Sequence, residues 1–357
     1  MQLTRLICSG FRCLKDLSFQ PGPGLNLIVG ANAQGKTSLL ESLLYVATAR
    51  SHRTTQDVEL VQYGGQGFRI AAWVERRTRP VVIEAAYYNG AKRFRVNGIP
   101  QSRVSDILGK INVVSFFAED VALVRGAASQ RRRLLDIELS KVYPQYLRSL
   151  QQYRQVLRQR NEVLRKKPMK PEELITWDVQ LVAYAQVLME HRASFVRRLT
   201  DTAEAYYARI AGEGESLTLA YRPDIRSDMN FGEVIALARE TDQKQGMTTR
   251  GPHRDDVDIL INAKPARQFA SQGQQRSAAL AIKLATADWV QEATEEDPIL
   301  ALDDVFSELD PDRASRLLET LSPHRQSLIT STDGLVDRLP AENRKMFWME
   351  GGRLEEK

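Results

Sequence analysis

The segment GANAQGKT, from Gly30 to Thr37, constrains the fold of this chain more than any other feature. It follows the short apolar run LNLIV, which predicts a strand, and precedes a helical pattern that starts at Ser38. A strand, a GxxxxGK[ST] loop and a helix in this order are typical of the phosphate-binding P-loop. The glycines allow backbone N–H groups to point at phosphate oxygens, and the helix N-terminus adds partial positive charge. We therefore predict nucleotide binding by an α/β fold.

The predicted nucleotide contacts cover the loop and the start of the helix. They are Gly30, Ala31, Asn32, Ala33, Gln34, Gly35, Lys36, Thr37 and Ser38. Lys36 is expected to reach the β- and γ-phosphates as a catalytic residue, and the Thr37 hydroxyl is expected to ligate Mg²⁺. ATP and Mg²⁺ are the expected cofactors.

A second acidic element follows the apolar run PILAL, which ends at Leu302. Asp303 suits the Mg²⁺ ligand of a Walker B motif, and Asp304 suits the catalytic carboxylate that orients or deprotonates the attacking water. Asp303 lies 267 positions after Lys36, so a large segment is predicted to be inserted within the nucleotide-binding domain.

The insertion shows helical periodicity in two stretches. Apolar residues recur at heptad spacing at Tyr146, Leu150, Tyr153, Leu157 and Leu164, and again at Val182, Ala185, Met189, Val196, Leu199, Ala203, Tyr206 and Ile210, with Arg192 as the exception. Two long helices folded into an antiparallel arm explain this pattern, and so does a compact helical subdomain. The predicted domains are residues 1–120 and 246–357 for the two halves of the ATPase head, and residues 121–245 for the insertion.

Positive charge is concentrated in the first part of the insertion. Residues 125–170 contain 13 Lys/Arg and three Asp/Glu. The surplus is explained either by a solvated helix face or by a surface for the phosphate backbone of DNA, which would bind without sequence preference. The candidate DNA-binding residues are Arg131, Arg132, Arg133, Arg148, Arg154 and Arg158.

Composition excludes several classes of protein. The chain is 43% hydrophobic and 27% charged, as in ordinary globular proteins. It contains no apolar run long enough for a membrane span, and its first residues lack the apolar region of a secretory signal. Two cysteines, Cys8 and Cys13, indicate free thiols rather than a disulfide framework. A cytoplasmic protein without a membrane partner is expected, and its net charge of +5 mildly favours an anionic partner.

A polar hexapeptide opens the apolar helical pattern that begins at Ser277. Its residues are Ser271, Gln272, Gly273, Gln274, Gln275 and Arg276. The hexapeptide resembles the signature motif of ABC-type ATPases, and the segment SELD, with Ser307 and Asp310, resembles their D-loop. The resemblance implies that the signature contacts ATP held by the P-loop of a second subunit, so that ATP would support a homodimer.

Several further segments narrow the resemblance to the RecF family of bacterial recombination mediators. They are GFRCL, GANAQGKTSLLESL, ATARSHRT, FFAEDVALVRGAASQRRRLLD, TTRGPHRDD, FASQGQQRSAALAIKLA and LALDDVFSELD. The resemblance covers essentially the whole chain. It implies an ABC-type ATPase head interrupted by a helical arm, a weak ATPase that dimerises with ATP, and binding to gapped or junction DNA. It also implies work with RecO and RecR in loading RecA, with consequences for replication restart and the SOS response.

Three segments leave their role open or depart from the family pattern. Ala118 stands where the family pattern leads us to expect proline. Thr330 to Thr332 contain no histidine where ABC transporters sense the γ-phosphate, which favours slow hydrolysis. In the segment GPHRDD, from Gly251 to Asp256, a turn presents His253 and Arg254 either to phosphate or for salt bridging.

Another open segment follows the P-loop helix. Arg50, Ser51 and Arg53 either approach the nucleotide base or sugar, or form a polar surface loop.

Two classes of function are compatible with these motifs. One is an ATPase switch in DNA repair, and the alternative is a structural DNA tether of the SMC or Rad50 kind. The predicted helices of the insertion are only about 50 Å long at 1.5 Å per residue, which favours the first class. A nuclease would need an additional acidic metal cluster, and no such cluster follows Asp310.

Overall fold

The computed structural model describes residues 1–166, 172–212, 214–226, 228–307, 309–321, 325–332 and 344–356. Its contacts divide the chain into two compact units. The first comprises Met1–Val121, Tyr206–Gly214 and Gln272–Lys357, and the second comprises Ala122–Ala205 and Glu215–Ser271. The predicted division placed the second half of the head from residue 246 onward, whereas these contacts return the chain to the first unit at Gln272.

Within the described residues, the first unit contains two sheets and three helices of ten or more residues. Its strands are β1 (Gln2–Phe11), β2 (Leu14–Phe19), β3 (Leu25–Val29), β4 (Gly67–Glu75), β5 (Val81–Tyr88), β6 (Ala91–Val96), β7 (Ile99–Gln101), β8 (Val113–Phe116), β12 (Ile299–Leu302), β13 (Ser327–Ser331), β14 (Arg344–Glu350) and β15 (Arg353–Glu356). Its helices are α1 (Lys36–Thr48), α8 (Gln272–Thr294) and α9 (Pro311–Thr320).

One sheet of the first unit is mainly parallel and has the order β15-β14-β3-β13-β12-β8. The neighbours β14, β3, β13, β12 and β8 pair in parallel, and β15 pairs antiparallel with β14 at the edge. Because β13 is paired with both β3 and β12, the carboxyl ends of these two strands lie at the same edge, one strand apart. The sheet therefore brings together the loop after Val29 and the acidic pair after Leu302.

The other sheet is antiparallel, with the order β2-β1-β4-β5-β6-β7. Helix α1 packs against strands of both sheets, and its residues Leu39, Leu40 and Leu43 are fully buried. Tyr45 of α1 meets Phe68 of β4 edge to face, and Phe68 meets Phe11 of β1 in the same geometry. The core of the first unit therefore surrounds the helix that begins at the P-loop, which fixes the start of that helix.

The second unit contains the predicted helices and a small sheet that their periodicity did not predict. Its helices are α2 (Ala122–Arg125), α3 (Ala128–Val142), α4 (Pro144–Leu164), α5 (Glu172–Ala211, whose last residues belong to the first unit), α6 (Phe231–Gln245) and α7 (Ala266–Phe269). Its strands are β9 (Leu217–Arg222), β10 (Asp256–Ile261) and β11 (Lys264–Pro265), in the order β11-β10-β9.

Helices α4 and α5 run antiparallel. Arg160, late in α4, binds Asp178 early in α5, whereas Tyr146, early in α4, binds Arg192 further along α5. Arg160 also binds Asp242 of α6, so the helix pair packs with a third helix of the second unit. Lys167, Pro168, Lys170 and Pro171, which the sequence places between the two helices, lie outside the described residues.

Arg192, the polar exception in the predicted seam of α5, is buried. Its guanidinium donates to Asp136, Asp255, the Tyr146 hydroxyl and the carbonyl oxygen of Pro252, at 2.6 to 3.0 Å. These acceptors compensate the charge that burial would otherwise leave without solvation. Among the described residues, no helix has the length and apolar character needed to cross a membrane.

Candidate nucleotide site

The predicted P-loop combines left-handed backbone with the start of a helix. Ala33 and Gly35 have φ values of +65° and +112°, and helix α1 begins directly afterwards at Lys36. The first backbone N–H groups of a helix have no intrahelical acceptor, which makes this end an anion site. The Lys36 ammonium donates to the carbonyl oxygens of Gly30 at 2.5 Å and Ala31 at 2.8 Å, so its charge lies over the loop.

Thr37 and Asp303 join the P-loop to the predicted Walker B strand. The Thr37 hydroxyl lies 2.8 Å from Oδ2 and 3.0 Å from Oδ1 of the Asp303 carboxylate. A hydroxyl and a carboxylate are hard oxygen ligands, and Mg²⁺ is usually held in proteins by one or two such groups plus substrate phosphates. The donor set therefore fits Mg²⁺. The described part of the chain contains no group of three or more His, Cys, Asp or Glu side chains that could hold a metal by itself.

Thr330, at the end of β13, connects the two aspartates and was missed by the sequence analysis. Its hydroxyl donates to Asp303 Oδ1 at 2.7 Å and accepts from the backbone N–H of Asp304 at 2.9 Å. Burial raises the pKa of the Asp303 carboxyl, while hydrogen bonds from Thr330 and Thr37 and the charge of Arg53 oppose the shift. Thr330 stands in the segment that lacks a histidine, and it has a structural role there that sequence spacing did not reveal.

Asp304 adopts a left-handed backbone conformation, with φ of +46°. Its carbonyl oxygen accepts from Arg276 Nη2 at 2.7 Å and from the Ser307 hydroxyl at 3.0 Å. A positive φ costs energy for a residue with a β-carbon, so these bonds and the one to Thr330 hold the residue in place.

The signature hexapeptide lies at the start of α8, which begins at Gln272, five residues before the apolar pattern. Ser271 and Gln272 are exposed, whereas Gln275 and Arg276 are buried. The Arg276 guanidinium lies 5.6 Å from the centre of the Phe116 ring, in addition to its contact with Asp304. The Arg276 side chain therefore points into its own unit and is not exposed, unlike Ser271 and Gln272. The contact of Ser271 to Gln275 with a second subunit stays a prediction.

The predicted D-loop residues have local roles. Ser307 binds the carbonyl oxygen of Asp304, and Asp310 caps helix α9 by accepting from the backbone N–H of Arg313 at 2.9 Å. Glu308, between them, lies outside the described residues.

A buried carboxylate in α1 shapes the loop that follows this helix. Glu41 is fully buried and accepts from Ser51 at 2.5 Å and from Arg12 at 3.0 and 3.1 Å. Burial alone would raise the pKa of Glu41, but hydrogen bonds from Arg12 and Ser51 hold it below its usual value. The Ser51 hydroxyl also accepts from the backbone N–H groups of Arg53 and Thr54. The segment is not a surface loop throughout, because Ser51 is buried while Arg53 is exposed. Its approach to the nucleotide stays a prediction.

The six arginines predicted to bind DNA fall into two groups. Arg131 is only 7% exposed and donates to both carboxylate oxygens of Asp256, at 2.6 and 3.0 Å. Arg132 is half-buried and donates to the carbonyl oxygen of Asp255. These two side chains are engaged inside the second unit and are poorly placed for DNA. The other four are exposed: Arg133, Arg148, Arg154 and Arg158, of which Arg154 also pairs with Asp136.

The GPHRDD segment makes several hydrogen bonds and ion pairs inside the second unit. His253 Nδ1 lies 2.6 Å from the Tyr153 hydroxyl, and Nε2 lies 3.1 Å from the carbonyl oxygen of Thr248. Asp255 accepts from Arg192 and from the Tyr221 hydroxyl, and Asp256 pairs with Arg131. The ion pairs of Asp255 and Asp256 support the interpretation that this segment serves in salt bridging. His253 is occupied by hydrogen bonds within the unit, whereas Arg254 is exposed.

Residues 2–347 match the family described as RecF/RecN/SMC N terminal domain. Proteins called DNA replication and repair protein RecF are similar over nearly the full length. The one from Shouchella clausii is 40% identical, covering 96% of both chains, and the one from Lactobacillus johnsonii is 38% identical, covering 93% of both.

Solved structures agree with the sequence comparison. A structure of the recombination mediator protein RecF with ATP, described as part of the RecFOR pathway, has a TM-score of 0.89 at 31% identity and covers 99% of this chain and 97% of its own. An SMC head bound to the C-terminal winged-helix domain of ScpA shares the fold alone, with a TM-score of 0.60 at 16% identity. The predicted ABC-type α/β head is confirmed by these matches. With the P-loop joined to an acidic strand end and this likeness along its whole length, the chain belongs to the RecF family of DNA replication and repair proteins.

Proposed function

We propose that this protein is an ATP-dependent DNA-binding switch of recombinational gap repair. ATP bound at the P-loop of one subunit and the signature of another would hold a homodimer together, and slow hydrolysis would release it. The protein would bind double-stranded DNA at gaps or single-strand junctions in the cytoplasm, at the nucleoid. With RecO and RecR it would promote RecA loading, replication restart and SOS induction. RecF relatives and their ATP-bound structures support this proposal.

The contact between Thr37 and Asp303 carries the proposal. It places a hydroxyl and a carboxylate side by side at the edge where the P-loop begins. Mg²⁺ bound by these groups would neutralise charge on the phosphate oxygens. Lys36 would leave the carbonyl oxygens of Gly30 and Ala31 to bind the β- and γ-phosphates, and the Asp304 carboxylate would orient the attacking water.

Slow turnover is supported by what surrounds Asp304. At the end of β13, the Thr330 side chain binds the backbone of Asp304 and the side chain of Asp303. A threonine hydroxyl offers no positive charge to a γ-phosphate, unlike the histidine of ABC transporters. We therefore expect weak ATPase activity, stimulated by DNA when the dimer forms.

DNA binding is supported by the exposed arginines of the second unit. Arg154 and Arg158 are exposed on α4, and Arg165 is exposed directly after its last residue; the spacings of four and seven residues place them along one face. Such a row suits contacts to successive phosphates and predicts strong salt dependence without base specificity. The tether of the SMC or Rad50 kind has no comparable support, because α4 and α5 have only 21 and 40 residues.

Sedimentation velocity of the full chain tests the proposal, with and without ATP–Mg²⁺ and with and without gapped duplex DNA. We expect a monomer without nucleotide, a dimer with ATP, and co-sedimentation with the gapped DNA that ATP strengthens. Lys36→Ala should remove the effect of ATP. A wild-type protein that stays monomeric and does not co-sediment with DNA at saturating ATP would refute the proposed switch.

A further inference from the structure

We propose that the turn Gly351–Gly352, between β14 and β15, positions the phosphate-binding loop and thereby sets its affinity for nucleotide. This inference rests on the proposed nucleotide site and extends it to residues more than 300 positions away in the sequence. The turn and the side chain of Gln34 are positioning groups, which act through the backbone of the loop.

The turn donates two backbone hydrogen bonds to one residue of the loop. The N–H of Gly351 donates to Gln34 Oε1 at 2.7 Å, and the N–H of Gly352 donates to the Gln34 carbonyl oxygen at 3.0 Å. Gln34 stands between Ala33 and Gly35, the two loop residues with positive φ. The bonds therefore restrain the part of the loop whose backbone is least favourable for an unsupported chain.

Backbone packing joins the same turn to the far end of the loop. A β-carbon built on Gly352 would lie 2.3 Å from the carbonyl oxygen of Cys13, in the turn between β1 and β2. A β-carbon on Gly35 would lie 3.0 Å from Cys13 Sγ and 3.6 Å from the α-carbon of Gly352. Gly352, Cys13 and Gly35 are therefore in direct contact, and a displaced turn would displace the loop.

Strand β14 supports the beginning of the loop. A β-carbon on Gly30 would lie 2.3 Å from the carbonyl oxygen of Met349, so the two backbones touch. The preceding residues pair in parallel, with Trp348 opposite Val29. The hairpin of β14 and β15 thus contacts the loop at Gly30 and again at Gln34.

The contacts have a consequence for binding because a P-loop recognises phosphate through the directions of its backbone N–H groups. A loop already held in the bound shape loses less conformational entropy on binding, and its affinity is correspondingly higher. The side chain of Gln34 is directed to the hairpin, where its amide oxygen accepts the hydrogen bond from Gly351. An amide at this position of the loop therefore links the loop to the hairpin. Loosening the turn by a substitution at Gly352 should weaken nucleotide binding without changing any residue predicted to touch nucleotide.

Gly352→Ala is the test variant, and Gly90→Ala is its matched control. Both glycines have φ of +77° in a hairpin turn of the first unit, so alanine meets similar backbone strain at each. Apart from its neighbours in the chain, no heavy atom of the described residues lies within 4 Å of the new β-carbon at Gly90, whereas the carbonyl oxygen of Cys13 blocks it at Gly352. Titration of each full-length protein with a fluorescent ATP analogue should show affinity about tenfold weaker for Gly352→Ala and changed by less than about threefold for Gly90→Ala.

Steady-state ATP hydrolysis distinguishes positioning from loss of folded protein. Gly352→Ala should raise KM for ATP and retain most of kcat at saturating ATP, whereas partial unfolding would lower kcat and leave KM unchanged. If Gly352→Ala does not fold, Gln34→Ala removes the acceptor of the Gly351 N–H without adding atoms, and its ATP and ADP affinities should both fall several-fold. Failure of the wild-type protein to bind the analogue would refute the nucleotide site itself. Normal wild-type binding, with Gly352→Ala or Gln34→Ala indistinguishable from the control, would overturn only this inference.

Discussion

Arg276 Nη2 donates to the carbonyl oxygen of Asp304 at 2.7 Å, linking the signature hexapeptide to the predicted hydrolytic carboxylate of the same chain. Asp304 has a φ of +46°, a conformation that needs support from neighbouring groups. Arg276 is buried over the ring of Phe116, so the bond is sheltered from water. A displacement of the start of α8 would therefore be transmitted through the Arg276 side chain to the residue that is predicted to act in hydrolysis.

The first prediction concerns this bond. Arg276→Met keeps the apolar part of the side chain and removes the donor, so the backbone of Asp304 loses one of its supports. A hydrogen bond from a charged donor contributes about 1.5–3 kcal/mol, and we expect kcat for ATP hydrolysis to fall about tenfold. Nucleotide affinity should stay within about twofold, because the P-loop is untouched. Arg93→Met, at an exposed arginine of β6, is the control, and equal kcat values for the two variants would contradict the role of Arg276.

The second prediction concerns the buried charge of Arg192. Arg192→Met removes one of the ion-pair partners of Asp136 and leaves the fully buried carboxylate of Asp255 without the guanidinium that pairs with it. Breaking a buried ion pair in this way costs about 3–5 kcal/mol of the free energy of unfolding. Arg197→Met, at an exposed position of the same helix, should cost less than about 0.5 kcal/mol. Urea unfolding of both variants measures the difference, and similar midpoints would show that the network does not stabilise the fold.

The third prediction concerns pH and the imidazole of His52. The ring stacks on Phe117 with centroids 3.5 Å apart, and neither of its buried nitrogens has a hydrogen-bond partner among the described residues. Burial lowers the pKa of His52 to about 4. The unfolded chain therefore binds a proton more readily, so stability falls as pH drops from about 6.5 toward 4.

A variant isolates this contribution. His52→Phe keeps the stack on Phe117 and cannot take up a proton, so between pH 7.5 and pH 5 it should lose about 2 kcal/mol less unfolding free energy than wild type. Urea unfolding at the two pH values gives both slopes. Parallel losses in the variant and the wild type would mean that His52 is not held neutral by burial.

The fourth prediction concerns the surface for DNA. Reversing the charge of Arg133, Arg148 and Arg158 to glutamate should weaken duplex binding and reduce the salt slope of log K by up to about 3, one unit for each phosphate that the protein no longer neutralises. Reversal of Arg77, Arg79 and Arg103, which are exposed in the first unit, changes the net charge equally and serves as the control. Fluorescence anisotropy over a salt series measures both proteins. Identical salt slopes would remove the DNA role from α3 and α4.

The local motifs could be predicted from the sequence because their residues are neighbours in the chain. The strand Leu25–Val29 has its predicted bounds, and the Walker B strand and the P-loop helix lie within two residues of theirs. The antiparallel course of α4 and α5 belongs to one of the two arrangements that the periodicity left open. In each case a short range of sequence contains the whole signal.

The remaining features depend on contacts between distant segments. Thr330 meets Asp303 across 27 positions, and Gly351 meets Gln34 across 317. The hexapeptide was predicted to open α8, as it does, but the contact of Arg276 with the carbonyl oxygen of Asp304, 28 positions away, was not predicted. Arg131 was predicted to bind DNA because a charge run gives no indication of the partner, Asp256, which the fold supplies.

Sedimentation velocity of a mixture of two variants tests the central claim, a nucleotide site completed by a second chain. Ser271→Arg should bind ATP but present a blocked signature, and Lys36→Ala should present a signature but bind no ATP. Each variant alone should remain monomeric with ATP–Mg²⁺. Mixed in equal amounts, they can form one intact site, from the P-loop of the first variant and the signature of the second. We predict a dimer peak that appears only in the mixture and only with ATP; a mixture that stays monomeric while wild type dimerises, or a dimer of Ser271→Arg alone, would contradict the claim.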